Sequence, residues 1–172
     1  TGQTAVNITR ISQAINSSEV GNLMTPAATL SLANTNANQL GVAEFSYGAD
    51  VLKGPNTGSL TVSNVQIGTL NVGENTSAIG ARGVGLNGFE ELALISTGGA
   101  SNTIGILGLP MDTGTAGKIT ITGDQNLALG APVPVILGNT VESLTYQNGV
   151  TQANGRLSAI DASGFTKNLT LN

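Results

Sequence analysis

Short runs in which an apolar residue alternates with Thr, Ser or Asn recur along this chain, and Gly, Asn and Pro cut them off every eight to twelve residues. That pattern constrains the fold more than anything else here. Side chains on a strand point alternately to opposite faces, so runs such as Leu60-Thr61-Val62 and Ile119-Thr120-Ile121 put their apolar groups on one face and hydroxyls on the other. Long helical periodicity is absent, and the punctuation has the spacing of many short strands. The expectation is an all-β chain.

The clearest recurring unit is a Gly-x-(Leu or Ile)-(Thr or Ser) strand start followed ten to fourteen residues later by a second alternating segment. It occurs as Gly58-Ser59-Leu60-Thr61-Val62 with Thr69-Leu70-Asn71-Val72, and as Gly117-Lys118-Ile119-Thr120-Ile121 with Asn126-Leu127-Ala128-Leu129. A third copy pairs Gly155-Arg156-Leu157-Ser158 with Asn168-Leu169-Thr170-Leu171. Because the copies do not start at a constant interval, whereas a regular solenoid asks for an even repeat, they read as hairpins. The expected fold is an antiparallel β-sandwich, jelly-roll or pilin-like, with extended terminal arms; an irregular β-solenoid is the alternative. Residues 1–23 form an N-terminal arm able to act as a donor strand, and 24–172 a single sandwich domain.

Composition narrows the function. Only 9% of the 172 residues are charged, against about a quarter in an ordinary soluble domain, so neutral amides and hydroxyls must cover the surface. Such a surface repels its own copies weakly and keeps its properties as pH and salt vary, which suits an extracellular or cell-surface polymer subunit. The six basic residues are scattered in a chain of net charge −4, so nothing resembles the cationic stripe that nucleic acid requires. No stretch reaches the length of a membrane-spanning helix. A chain beginning at Thr1 fits removal of a leader.

With neither His nor Cys, Ser-His-Asp triads, thiol nucleophiles and His-based zinc sites are excluded. Gly83-Val84-Gly85-Leu86-Asn87-Gly88 has the spacing of a dinucleotide-binding loop but no βαβ context, and no cofactor is expected. The acids are too dispersed for a Ca²⁺ loop, and the adjacent pair Glu90-Glu91 would point to opposite faces of a strand. Met111-Asp112-Thr113-Gly114 resembles the active-site signature of the aspartic proteases, and Val135-Ile136-Leu137-Gly138 resembles the supporting segment of the retroviral-type branch. That resemblance would make Asp112 the catalytic carboxylate of a homodimer. Pro110 interrupts the strand leading into the Asp, the interval to Ile136 is short for a flap, and Asp-Thr-Gly is an ordinary turn. The chain is therefore expected not to be an enzyme.

The leading expectation is a secreted structural subunit of a fibre or surface layer, similar in kind to bacterial and archaeal pilus subunits and partnered by identical copies. A terminal strand would be donated to a neighbour, with Val6, Ile8 and Ile11 as the inserted side chains. The segment 165–172 reads as a strand that would fray unless paired. The alternatives are a module binding carbohydrate or ice, or a viral decoration or capsid protein; irregular Thr spacing and only five aromatics count against the binding modules. Asn7, Asn16, Asn75 and Asn168 stand in Asn-x-Ser/Thr sequons and are candidate glycan acceptors.

Overall fold

A computed structural model describes residues 3–9, 17–26, 29–36, 41–74, 87–109, 116–130 and 156–171. These hold eleven strands and no helix: β1 (Ala5–Ile8), β2 (Ser17–Leu23), β3 (Thr29–Asn36), β4 (Val42–Tyr47), β5 (Thr57–Glu74), β6 (Glu91–Thr97), β7 (Asn102–Gly108), β8 (Ala116–Gly123), β9 (Leu127–Leu129), β10 (Arg156–Asp161) and β11 (Leu169–Leu171).

Every pairing among them is parallel. One ladder runs β1-β3-β5-β6-β8-β10. The other runs β2-β4-β5-β7-β9-β11. Strand β5, 18 residues long, belongs to both, and the path β10-β8-β6-β5-β7-β9-β11 is a curled half-barrel of seven strands. A parallel neighbour needs a crossover before the chain can return. Here the crossover is a strand of the other ladder, so each round of chain lays one strand on each.

This overturns the antiparallel sandwich. The three pairs read as hairpins are not paired with each other: Gly58–Val62 and Thr69–Val72 are parts of one strand, while β8 and β9, like β10 and β11, lie in different ladders. The interval between copies is uneven because β6 and β7 intervene between the first copy on β5 and the second on β8, whereas the third, on β10, follows one round later.

Burial follows the register. In the first ladder Val6, Leu30, Leu60, Leu94 and Ile121 stack in one column, each 7% exposed or less. In the second, Ile67, Ile104, Leu129 and Leu171 form another. Removing a fully buried Leu side chain from water contributes about 1.5–3 kcal/mol, so repeated columns of this kind stabilise a chain with few aromatics. Tyr47 and Phe89 add an edge-to-face pair with centroids 5.4 Å apart. Phe89 lies against Gly58, where a Cβ would stand 2.8 Å from its ring, so the glycine that reads as a strand start makes room for an aromatic.

Within β5 the buried positions change phase, from Leu60 and Val62 to Val65 and Ile67 and then to Leu70 and Val72. The first change falls at Asn64, whose φ of 55° turns the strand, and Asn34 of β3 has a φ of 52°. Asn tolerates this left-handed region better than most residues. The Asn64 side-chain amide donates to Asn34 Oδ1 at 3.2 Å, and its oxygen accepts the N–H groups of Gly99 and Ala100 at 2.7 and 3.0 Å. Gly98, with φ 109°, closes the same corner: a Cβ there would sit 2.6 Å from Asn64 Oδ1.

Candidate functional site

Three regions carry chemistry or exposed surface. The first is a buried polar knot where the ladders meet. Asn102 is fully buried at the start of β7. Its oxygen accepts the Val65 N–H at 2.8 Å, and its amide donates to Ser96 Oγ at 2.8 Å and to the Thr97 carbonyl at 3.0 Å. Glu74 is tied in the same way, accepting the Asp50 N–H at 3.1 Å and the Asn87 amide. Both groups close loops onto strands, which is a structural task.

The second region lies on β2, β4 and β5. Glu19, Glu44 and Asn71 are in register on successive strands, and the Ser46 hydroxyl sits 2.5 Å from Glu44 Oε1 and 3.2 Å from Glu19 Oε1. Glu44 and Ser46 are each 1% exposed. The Ser46 hydroxyl thus lies between the two carboxylates, and among the described residues no group of three or more His, Cys, Asp or Glu could hold a metal ion. Burial pushes the Tyr47 hydroxyl up to about 12, which keeps it neutral across the biological range.

The third region is the outer side of the first ladder. Register assembles two rows: Ala5, Thr29, Ser59, Ala93, Thr120 and Asp161, and beside it Asn7, Ser31, Thr61, Ile95 and Thr122. These residues are exposed or half-buried. The Ser31 hydroxyl donates to Asn7 Oδ1 at 2.5 Å. The hydroxyls of Thr29, Ser59, Thr61, Thr120 and Thr122 make no side-chain hydrogen bond with any described residue, so they are left to whatever lies outside. At one end Lys118 Nζ meets Asp161 Oδ2 at 3.0 Å. The hydroxyl and N–H of Ser163, then Lys118, hold the Asp161 carboxyl down at about 2.

The candidate residues of the sequence fall as follows. Val6 and Ile8 lie on β1, in register with Leu30 and Leu32 of the same chain and buried in its own core. Leu23 of β2 belongs to that core as well, so the described parts of the segment 1–23 pair within their own chain. Asn7 and Asn168 are exposed. Ile11, Asn16, Asn75, Asp112, Gly83–Leu86 and Val133–Gly138 lie outside the described residues. Of the Glu pair, Glu91 is exposed on β6 opposite Lys118, while Glu90 Oε2 accepts the Asn56 N–H at 2.7 Å.

The sequence marks strands at both ends of the stack, and the structure adds which strands they pair with. Among the described residues β1 and β2 at one end, and β10 and β11 at the other, each pair with a single strand. Met24 beside β2 is 64% exposed and Leu171 on β11 is 48% exposed; they are the large exposed apolar side chains of the described residues. No helix among these residues is long and apolar enough to cross a membrane. No protein-family model matches the chain, and neither a curated protein nor a solved structure is significantly similar to it.

Proposed function

We propose that the chain is a non-catalytic structural subunit, working outside the cell, that joins copies of itself end to end into a fibre or layer. The observation that carries this reading is that, among the described residues, the strands at both ends of the stack pair on one edge alone, with Leu171 exposed at the end of a core column. Because all junctions between rounds are parallel and run in one sense, β10 and β11 of one copy offer the edge that β1 and β2 of the next can take by the same backbone pairing. A contact between two different surfaces of the same molecule does not close on itself and propagates. Exposed strand edges are natural templates for it, and a surface with 9% charged residues offers little to oppose it.

Donation of β1 to a neighbour is the swapped form of the same contact, since Val6 and Ile8 would then fill the equivalent columns in the next copy. The low charge also supports an extracellular setting. Negative-stain electron microscopy with light scattering on the purified chain tests the proposal. Filaments or sheets that grow with concentration are expected, and Leu171→Asp, a change at an exposed position, should shorten or abolish them while leaving the fold intact. A monomer at every concentration, or fibres indifferent to changes at both Leu171 and Met24, would sink it.

A further inference from the structure

The outer face of the first ladder carries an inference that does not depend on self-assembly. Its Thr and Ser residues are far apart and unevenly spaced in the chain, yet pairing brings them into rows: Thr29, Ser59 and Thr120 in one, Ser31, Thr61 and Thr122 in the next. Thr29 and Ser59, like Ser31 and Thr61, are one strand apart, about 4.8 Å; Ala93 and Ile95 of β6 set Thr120 and Thr122 two strands further on, about 9.6 Å, and the rows are two residues apart, about 6.6 Å. The strand spacing and its double lie near one and two repeats of the water oxygens along one axis of the prism face of hexagonal ice, while the row spacing is shorter than the repeat along the other axis.

Two further observations point to the same ligand. Five of the six hydroxyls have no partner among the described residues, so their donors and acceptors face outward beside the methyl groups of Thr. The rows are also uncharged apart from Asp161 at one end, where it is paired with Lys118. The next row on the same side pairs Glu91 with Lys118, charges that offset each other, so the rows offer little to a phosphate, an acidic polymer or a charged lipid surface and suit a neutral lattice of hydrogen-bond donors and acceptors. The rows contain no aromatic side chain, so the platform on which sugar rings stack is missing. Small side chains keep the relief low, and water held between the methyl groups and bonded to the hydroxyls can take up lattice positions without rearrangement of the protein.

We propose that these rows form an ice-binding face. The test uses the purified full chain in a nanolitre osmometer, which measures thermal hysteresis and crystal shape, together with ice-affinity partitioning. The chain is expected to enter the ice fraction and shape growing crystals. A Thr61→Tyr/Thr120→Tyr double variant, altered only at outward positions, should lose both effects, whereas Thr103→Tyr on the second ladder should keep them. Circular dichroism checks that all three fold. If the double variant does not fold, the unaltered chain still decides the matter: exclusion from ice and unshaped crystals overturn the proposal. Undiminished activity in a folded double variant also overturns it, as does retention on crystalline cellulose or chitin without any effect on ice.

Discussion

The two ladders share a strand and a pairing mode, yet their outer sides differ. In β6 exposure alternates along the whole strand: Leu92, Leu94 and Ser96 face in, while Glu91, Ala93, Ile95 and Thr97 face out. In β4 every residue from Ala43 to Tyr47 is buried, and the outward Ser46 hydroxyl lies within hydrogen-bond distance of both Glu44 and Glu19. Parallel pairing therefore specifies only the inner columns. What the outer side does, expose free hydroxyls or tie its polar groups into a network, is left to side chains that the fold itself does not demand.

The most damaging way to probe that contrast is to cut an inner column. Leu94→Ala removes a fully buried side chain between Leu60 and Ile121 and should cost about 3–5 kcal/mol in urea unfolding. Ile95→Ala, one residue along and facing out, should stay within about 1 kcal/mol. Similar costs at both positions would erase the distinction between inner and outer sides. The junction of the ladders comes next. Asn102→Ala strands the Val65 N–H in a buried site and should cost about 2–3 kcal/mol, and Asn102→Asp should not restore what the amide donates to Ser96 and Thr97.

The smallest effect concerns acid. Asp161 has its folded pKa lowered from 3.8 to about 2, so the stability it contributes is present above pH 4 and is lost as pH falls from 4 toward 2. Asp161→Asn should remove that portion of the acid dependence, leaving melting temperature less sensitive to pH over this window and slightly lower at pH 7, where the ionised carboxylate contributes. The pair is solvent-exposed, so the shift should also shrink in high salt.

Part of this organisation is legible in residues alone. The alternation at Leu60 to Val62 and at Ile119 to Ile121 identifies strands and their buried faces, and all three Gly-led copies fall on one ladder: β5, β8 and β10. Their companions at 69–72, 126–129 and 168–171 all fall on the other. Alternation has the same period whichever way neighbours run, so it says which side is buried and not which strand lies alongside. A signal for the corner exists in the run Leu60-Thr61-Val62-Ser63-Asn64-Val65-Gln66-Ile67, where the apolar phase slips by one residue at Asn64, the position of positive φ. The hydroxyl rows were beyond reach because irregular spacing in the chain becomes a regular array only once the register of four strands is known. Strands at both ends are readable, whereas which edge of each lacks a neighbour among the described residues follows only from the register.

One consequence of β5 concerns how such a molecule comes apart. It supplies the middle strand of both ladders and runs through the corner at Asn64 without an intervening loop. The two ladders thus have no hinge about which to separate. Among the described residues each outer round pairs with a single neighbour, so loss of structure is expected to start there and to reach the round built on β5 last.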